Sequence, residues 1–156
     1  MTKKTDIFVA IDTQSQENAK KLIGQLNNKY CGIKIGKELF TSCGPEIVQW
    51  VKSEGFEVFL DLKFHDIPNT VMKACEAASR MNADIINVHT LGGKEMMSAA
   101  KNAVSNQQIK LIGVTLLTSH DKNFMREVGL SGSIDDCVKK LAINAAESGL
   151  DGIVCS

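Results

Sequence analysis

The sequence predicts an α/β protein in which helices cover a parallel β-sheet. Its 156 residues are enough for one domain. Hydrophobic residues make up 44% and charged residues 23% of the chain, proportions that are typical of globular proteins. Short apolar runs alternate with longer amphipathic segments along the whole sequence. Strands that alternate with helices in this way indicate a parallel sheet.

Six strands are predicted from the short apolar runs. The first run, Ile7 to Ile11, is almost continuously apolar, as expected of a strand that is buried on both faces. The six predicted strands are 7–11, 32–35, 57–63, 84–89, 109–117 and 151–155.

Five helices and one shorter helical turn are predicted from apolar positions that recur at helical spacing. In the first helix, Ala19, Leu22, Ile23 and Leu26 form one apolar stripe, and Ser15 is placed to cap the amino end. The predicted helices are 15–26, 46–53, 70–81, 94–104 and 133–147, and the turn is at 122–127.

This alternation allows either an open doubly wound sheet or a closed barrel. Eight βα units, as in a (β/α)8 TIM barrel, need about 200 to 250 residues. Six units in 156 residues fit the first three quarters of such a barrel. We therefore expect residues 1–156 to form a single domain that is part of a longer chain. We expect its six strands to be parallel and in sequence order, with an open side after the sixth.

Charge and composition argue against several classes of protein. The 18 Lys+Arg balance 18 Asp+Glu, which argues against a nucleic-acid binder and against a polybasic membrane attachment. No apolar run reaches the roughly 18 residues of a membrane span, and the first residues lack the features of a secretory signal. The five cysteines are odd in number and form no C-x-x-C pair, so we expect buried thiols rather than disulfides or a zinc site. These features predict a cytoplasmic protein.

Polar residues at the carboxyl ends of the predicted strands form the candidate site. Asp12 ends the first strand, Lys34 lies in the second, Asp61 and Lys63 end the third, and His89 ends the fourth. In parallel α/β folds the loops converge at this edge, and ligands bind there. Two acids and two lysines on neighbouring strands indicate a charge network that can stabilise a carbanion and deliver a proton to it.

Taken singly, most of these residues also have a structural explanation. An aspartate at a strand end is more often a loop cap, and His89 is more often a hydrogen-bonded structural residue than a catalyst. Thr115 and Thr118 near the end of the fifth strand carry almost no signal, and the Gly92-Gly93 pair is a weak one for phosphate binding. Lys34 is harder to explain, because lysine is rarely buried without a partner.

One segment resembles a known signature. Residues 61–70, DLKFHDIPNT, resemble the signature of the orotidine 5′-phosphate decarboxylase family. The segments VAID, IKIG around Lys34, NVHT around His89 and VTLLTS agree with that family in order and spacing. The short pattern D-x-K-x-x-D is shared by a wider superfamily of decarboxylases and aldolases, and the continuation HDIPNT narrows the resemblance to the orotidylate enzymes.

The resemblance implies a (β/α)8 barrel that forms a homodimer with active sites at the subunit interface. It implies conversion of orotidine 5′-monophosphate to uridine 5′-monophosphate and CO2, the last step of de novo pyrimidine synthesis, with no metal or organic cofactor. In the family the phosphate-binding segments, which include an arginine, follow the seventh and eighth strands. The resemblance therefore gives these 156 residues no phosphate-binding arginine of their own.

The resemblance also implies roles for individual residues. Lys63 is the proton donor to C6 of the pyrimidine, with Asp61 beside it facing the substrate carboxylate. The remaining implied roles are ribose binding by Lys34 and Asp12, contacts to the partner's site by Asp66 and Thr70, substrate contact by Ile67, and pyrimidine contact by Thr118. Lys34 and Asp66 also belong to the catalytic Lys/Asp array, since Asp61 and Asp66 hold Lys63 charged and oriented.

Two other functions remain open from the sequence. The first is another phosphosugar enzyme of the superfamily, such as a 3-keto-gulonate-phosphate decarboxylase or a hexulose-phosphate synthase, which uses Mg2+ and an enediolate intermediate. Sensitivity to EDTA would indicate that reaction. The second is a non-catalytic protein that binds a nucleotide or a phosphosugar, for which we expect ligand binding without turnover.

Overall fold

Six parallel strands form one sheet in the order in which they occur in the sequence. The structure, a computed structural model, describes residues 7–105 and 108–155. The strands are β1 Phe8–Ile11, β2 Gly32–Gly36, β3 Val58–Phe64, β4 Ile85–His89, β5 Lys110–Val114 and β6 Gly152–Val154. Within the described residues, β1 and β6 each pair with one neighbour, so the sheet is open between them. The predicted strand order and open side are confirmed.

Helices connect successive strands. They are α1 Gln16–Ile23, α2 Lys37–Cys43, α3 Glu46–Ser53, α4 Pro68–Arg80, α5 Gly93–Val104, α6 Lys122–Glu127 and α7 Ile134–Glu147, with a 3-10 turn at Thr90–Gly92. The described helices include none that is long and apolar enough to cross a membrane.

Local sequence signals explain the starts of three helices. The Ser15 side chain accepts a hydrogen bond from the backbone N–H of Asn18, and the Ser133 side chain accepts one from that of Asp136, as expected of N-caps. Helix α4 begins two residues earlier than predicted, because the fixed φ of Pro68 suits the first turn of a helix.

Three further elements differ from the prediction. Helix α1 ends at Ile23 and not at 26. Helix α2 was not predicted, because it buries only Leu39 and its N-cap, Gly36, has no side chain to signal a start. Strand β5 ends at Val114 and not at 117. Beyond that point, the backbone N–H and the side chain of Thr115 donate to the Val154 carbonyl, and Leu116 packs in a second apolar cluster under α6 and α7.

The core lies between the sheet and its helices. Strand residues that are 0% exposed include Ile33, Leu60, Ile86 and Leu111. The prediction of buried thiols is correct only for Cys75, which is 0% exposed and whose pKa burial raises to about 12. All five cysteines are free, but three are partly exposed and Cys155 is exposed. Cys31 and Cys43 lie at the edge of the main core, and Cys137 lies at the edge of the second apolar cluster.

The amino ends of the strands share a repeated arrangement. Asp84, just before β4, receives the backbone N–H of Val58 at 2.6 Å and the Lys52 ammonium at 2.7 and 2.9 Å. Asp151, just before β6, receives the backbone N–H of Leu111 at 2.8 Å and the Lys101 ammonium at 2.7 Å. In both places a carboxylate joins a strand to a helix, which stabilises the end of the sheet opposite the candidate site.

Candidate active site

Asp61 is the centre of the charged cluster at the carboxyl edge of the sheet. Its Oδ1 lies 2.6 Å from the Lys63 ammonium, and its Oδ2 lies 3.2 Å from the Lys34 ammonium. The Asp61 side chain is 10% exposed and each lysine side chain is 26% exposed. The structure therefore brings together three of the predicted residues, with the carboxylate buried and the two ammonium groups nearer to solvent.

Asn87 is a fourth member of this cluster, and the sequence analysis missed it. Its side chain donates from Nδ2 to Asp61 Oδ1 at 2.7 Å. Its Oδ1 accepts the backbone N–H of Lys63 at 2.7 Å. The residue is 1% exposed. The only sequence signal was one amide in the otherwise apolar start of β4, IINV, and a buried amide needs hydrogen-bond partners.

The backbone of Lys63 adopts an unusual conformation. Its φ is +51°, in the left-handed region, which costs a residue with a side chain about 1–2 kcal/mol. The pairing of β3 with β4 is irregular between Leu60 and Phe64, so Lys63 lies in a break of the ladder. Simple alternation predicted that Asp61 and Lys63 would share a face. The contact exists, but a strained backbone forms it.

The surroundings of Asp61 keep it ionised. Burial by itself raises the pKa of a carboxyl group. Hydrogen bonds from Lys63 and Asn87, the charge of Lys63 and the hydrogen bond from Lys34 outweigh burial, so the pKa of Asp61 is lowered. At neutral pH the cluster therefore holds one carboxylate between two ammonium donors, with an excess of positive charge.

Two histidines lie beside the cluster. The ring of His89 lies 5.6 Å from the ring of His65, and its Nδ1 is buried without a hydrogen-bond partner among the described residues. The hydrogen-bonded structural role considered for His89 is therefore not seen at this nitrogen. Burial lowers the pKa of His89, and so does electrostatic repulsion between its charged form and the basic side chains of His65, Lys37, Lys63 and His120.

The other predicted site residues lie outside these contacts. Asp12 is exposed, with Oδ1 3.7 Å from the point that a Cβ on Gly36 would occupy, so it lies over the end of β2. Asp66, Ile67 and Thr70 are exposed around the start of α4, and Asp66 Oδ1 accepts the backbone N–H of Ile67. No ion pair of Asp66 occurs among the described residues.

Thr118 lies in the loop that follows β5. It is exposed and lines a cavity of about 300 Å³ together with Leu116, His120 and residues of α7. The described part of the chain contains no group of three or more His, Cys, Asp or Glu side chains placed to hold a metal ion.

Comparison with known proteins gives a family for this site. A sequence model of the family described as "Orotidine 5′-phosphate decarboxylase / HUMPS family" matches residues 5–156. The chain belongs to this family. It is 48% identical over 150 residues to the orotidine 5′-phosphate decarboxylase of Nitrosospira multiformis, and 49% identical over 150 residues to that of Nitrosomonas eutropha. These matches cover 96% of the chain but 63% and 65% of the two relatives.

Solved structures support the same family and its fold. An orotidine 5′-phosphate decarboxylase from Lactobacillus acidophilus superposes with a TM-score of 0.92 at 33% identity, over 97% of this chain and 71% of that one. An uncharacterized conserved protein from Geobacillus kaustophilus superposes with a TM-score of 0.91 at 38% identity, over 97% of this chain and 73% of that one. The six βα units are therefore part of a (β/α)8 barrel, and the predicted fold class and family resemblance are confirmed.

Proposed function

We propose that the protein decarboxylates orotidine 5′-monophosphate to uridine 5′-monophosphate and CO2 in pyrimidine synthesis. The observation that carries the proposal is the buried Asp61 carboxylate, held between the Lys34 and Lys63 ammonium groups at the carboxyl edge of the barrel. Relatives that are 48% and 49% identical to the chain carry the name of this enzyme.

The charge network suits the difficulty of this reaction. Loss of CO2 from C6 leaves an electron pair in the plane of the pyrimidine ring, where π delocalisation stabilises it little. The proposed reaction uses no cofactor, so fixed charges of the protein supply the stabilisation. Two opposite charges about 4 Å apart attract by roughly 4 kcal/mol at an effective dielectric constant near 20. One fixed ammonium group is therefore large enough to affect the rate.

Lys63 has the central role in this proposal. Its ammonium stabilises the developing carbanion and then donates a proton to C6. Asp61, ionised and 2.6 Å away, orients that ammonium and faces the departing carboxylate. We assign Lys34 and Asp12 to the ribose hydroxyls, and the exposed position of Asp12 at the end of β1 is compatible with that contact.

The remaining assignments concern a second subunit. We propose a homodimer in which Asp66, Ile67 and Thr70 contact the partner's substrate. All three are exposed around the start of α4, and Ile67 is 66% exposed, which is unusual for a large apolar side chain. We assign Thr118, at its cavity, to the pyrimidine. The five free cysteines support a reducing location such as the cytoplasm.

The test is turnover by the full-length gene product in EDTA. We expect UMP and CO2 to form from orotidine 5′-monophosphate at a rate that EDTA does not change. Turnover of a phosphosugar only, and only with Mg2+, would replace the proposal with the metal-dependent reaction. Binding of the nucleotide without product would indicate a binding protein.

A further inference from the structure

Both the NH2 group and the carbonyl oxygen of the Asn87 side chain are hydrogen-bonded, and each has only one partner that it can bond. Asp61 is an ionised carboxylate and can only accept a hydrogen bond, whereas the Lys63 backbone N–H can only donate one. The amide therefore has a single orientation, with Nδ2 towards Asp61 and Oδ1 towards Lys63, each at 2.7 Å. At 1% exposure, Asn87 has no access to bulk water as an alternative partner.

The hydrogen bond from the Lys63 backbone N–H to Asn87 lies where the regular pairing of β3 with β4 is interrupted. Lys63 also has a strained backbone, with a φ of +51°. A strained backbone conformation persists only where its surroundings hold it. The Asn87 side chain, which comes from the neighbouring strand, supplies a hydrogen bond at that position.

We propose that Asn87 is a positioning residue that fixes the Lys63 backbone and the Asp61 carboxylate together, so that the Lys63 ammonium points at the reacting carbon. The inference rests on the proposed function for its reaction and adds a residue to it. The residue that would orient Lys63 is then a neutral one on β4, the strand next to that of Lys63 and Asp61.

The first test replaces the amide by a group that makes neither bond. In the full-length gene product, Asn87→Ala is expected to lower kcat about 100-fold and to change KM less than about threefold, because the geometry of the reacting groups changes and remote binding contacts do not. The matched control is Asp84→Ala, which removes a carboxylate at the opposite end of the same two strands. The control should keep kcat within about twofold.

The second test is Asn87→Asp, which has a pH signature that a purely structural role would not give. The new carboxyl group would be buried and at hydrogen-bond distance from the Asp61 carboxylate, and both features favour its protonated form, whereas the charges of Lys63 and Lys34 on Asp61 favour its ionised form. With its proton bound, the carboxyl group of Asn87→Asp donates to Asp61 and accepts from Lys63, as the amide does. We therefore expect kcat of the variant relative to the parent to rise at least about tenfold between about pH 8 and pH 5.5. A flat ratio, or an Asn87→Ala enzyme within threefold of the parent kcat, would overturn the role.

A measurement without turnover separates this inference from the proposed function. Hydrogen exchange of the Lys63 amide should accelerate at least about tenfold in Asn87→Ala, and by at least about tenfold more than the loss of global stability accounts for, whereas in Asp84→Ala it should change no more than the loss of global stability accounts for. Equal exchange in the parent and Asn87→Ala would refute the positioning role, even for a parent protein that is inactive on orotidine 5′-monophosphate. Fast exchange in Asn87→Ala with an inactive parent would keep the positioning role and refute the proposed reaction.

Discussion

Replacing Lys63 with alanine is the most direct test of the charge network. The structure places its ammonium 2.6 Å from Asp61 Oδ1, so the substitution removes the proposed proton donor and a fixed positive charge together. Asp61 keeps its bonds to Lys34 at 3.2 Å and to Asn87 at 2.7 Å. The carboxylate therefore remains hydrogen-bonded, and the change is confined to the reacting side of the cluster.

The size of the effect follows from the two functions of one group. An attraction of roughly 4 kcal/mol in the transition state corresponds to about 10³-fold in rate. General acid catalysis contributes typically another 10²- to 10⁴-fold. Because both functions belong to the same ammonium, they do not simply multiply. We expect kcat to fall by at least about 10⁴-fold, with a much smaller change in substrate affinity.

The positive φ of Lys63 supplies a matched control. Glycine adopts φ = +51° without strain, whereas alanine has a Cβ and keeps the strain that lysine has, so Lys63→Gly should be more stable than Lys63→Ala by about 1 kcal/mol in urea unfolding. Both variants should lose the same catalytic factor in steady-state assays of the full-length gene product. A Lys63→Ala enzyme with kcat within tenfold of the parent would refute the assignment, and Lys63 would then be a structural ion-pair residue.

Three further outcomes are expected. Mixing inactive Lys63→Ala and Asp66→Ala proteins should restore activity, because a hybrid dimer has one site with neither change; no recovery despite subunit exchange, followed by mass spectrometry, would contradict shared sites. Asp84→Ala should cost about 1–3 kcal/mol in urea unfolding because it leaves a buried N–H unpaired, whereas Lys52→Ala should cost less than about 1 kcal/mol; equal losses would contradict this. The lowered pKa of His89 means that the unfolded chain binds a proton before the folded one does as pH falls below about 6.5, so the free energy of unfolding should decrease there. His89→Gln should make that loss of stability smaller in thermal unfolding, and an unchanged pH profile would exclude His89 as its source.

The sequence predicted the fold well because the spacing of apolar residues differs between buried strands and amphipathic helices and can be read from the sequence alone. All six strands and five of the seven helices were predicted, and α6 was predicted as a helical turn. Helix α2 was missed because it buries a single leucine and has no side-chain cap. Strand β5 was predicted too long because the apolar Leu116 extends the apolar run of the strand. In the structure Leu116 packs against Met125 and Leu141 in the second cluster and does not belong to the strand.

The site was predicted in part. Asp61 and Lys63 stood out because they end a predicted strand at the edge where ligands bind, and Lys34 because lysine is rarely buried without a partner. Asn87 did not stand out, because one neutral amide in a strand is compatible with many structures. Its function depends on a break in the neighbouring ladder and on the φ of Lys63, and neither is encoded in a local pattern.

The two ends of the sheet use the same chemical groups to opposite effect. At the amino ends, Asp84 and Asp151 each bind one lysine and one strand N–H, so the charges of each pair cancel. At the carboxyl end, Asp61 binds two lysines, and its third partner, Asn87, is neutral. These bonded groups carry a formal charge of +1 that they do not themselves neutralise. A substrate whose reaction concentrates negative charge on carbon supplies the missing anion, which is why the proposed chemistry belongs at this end of the barrel and not at the other.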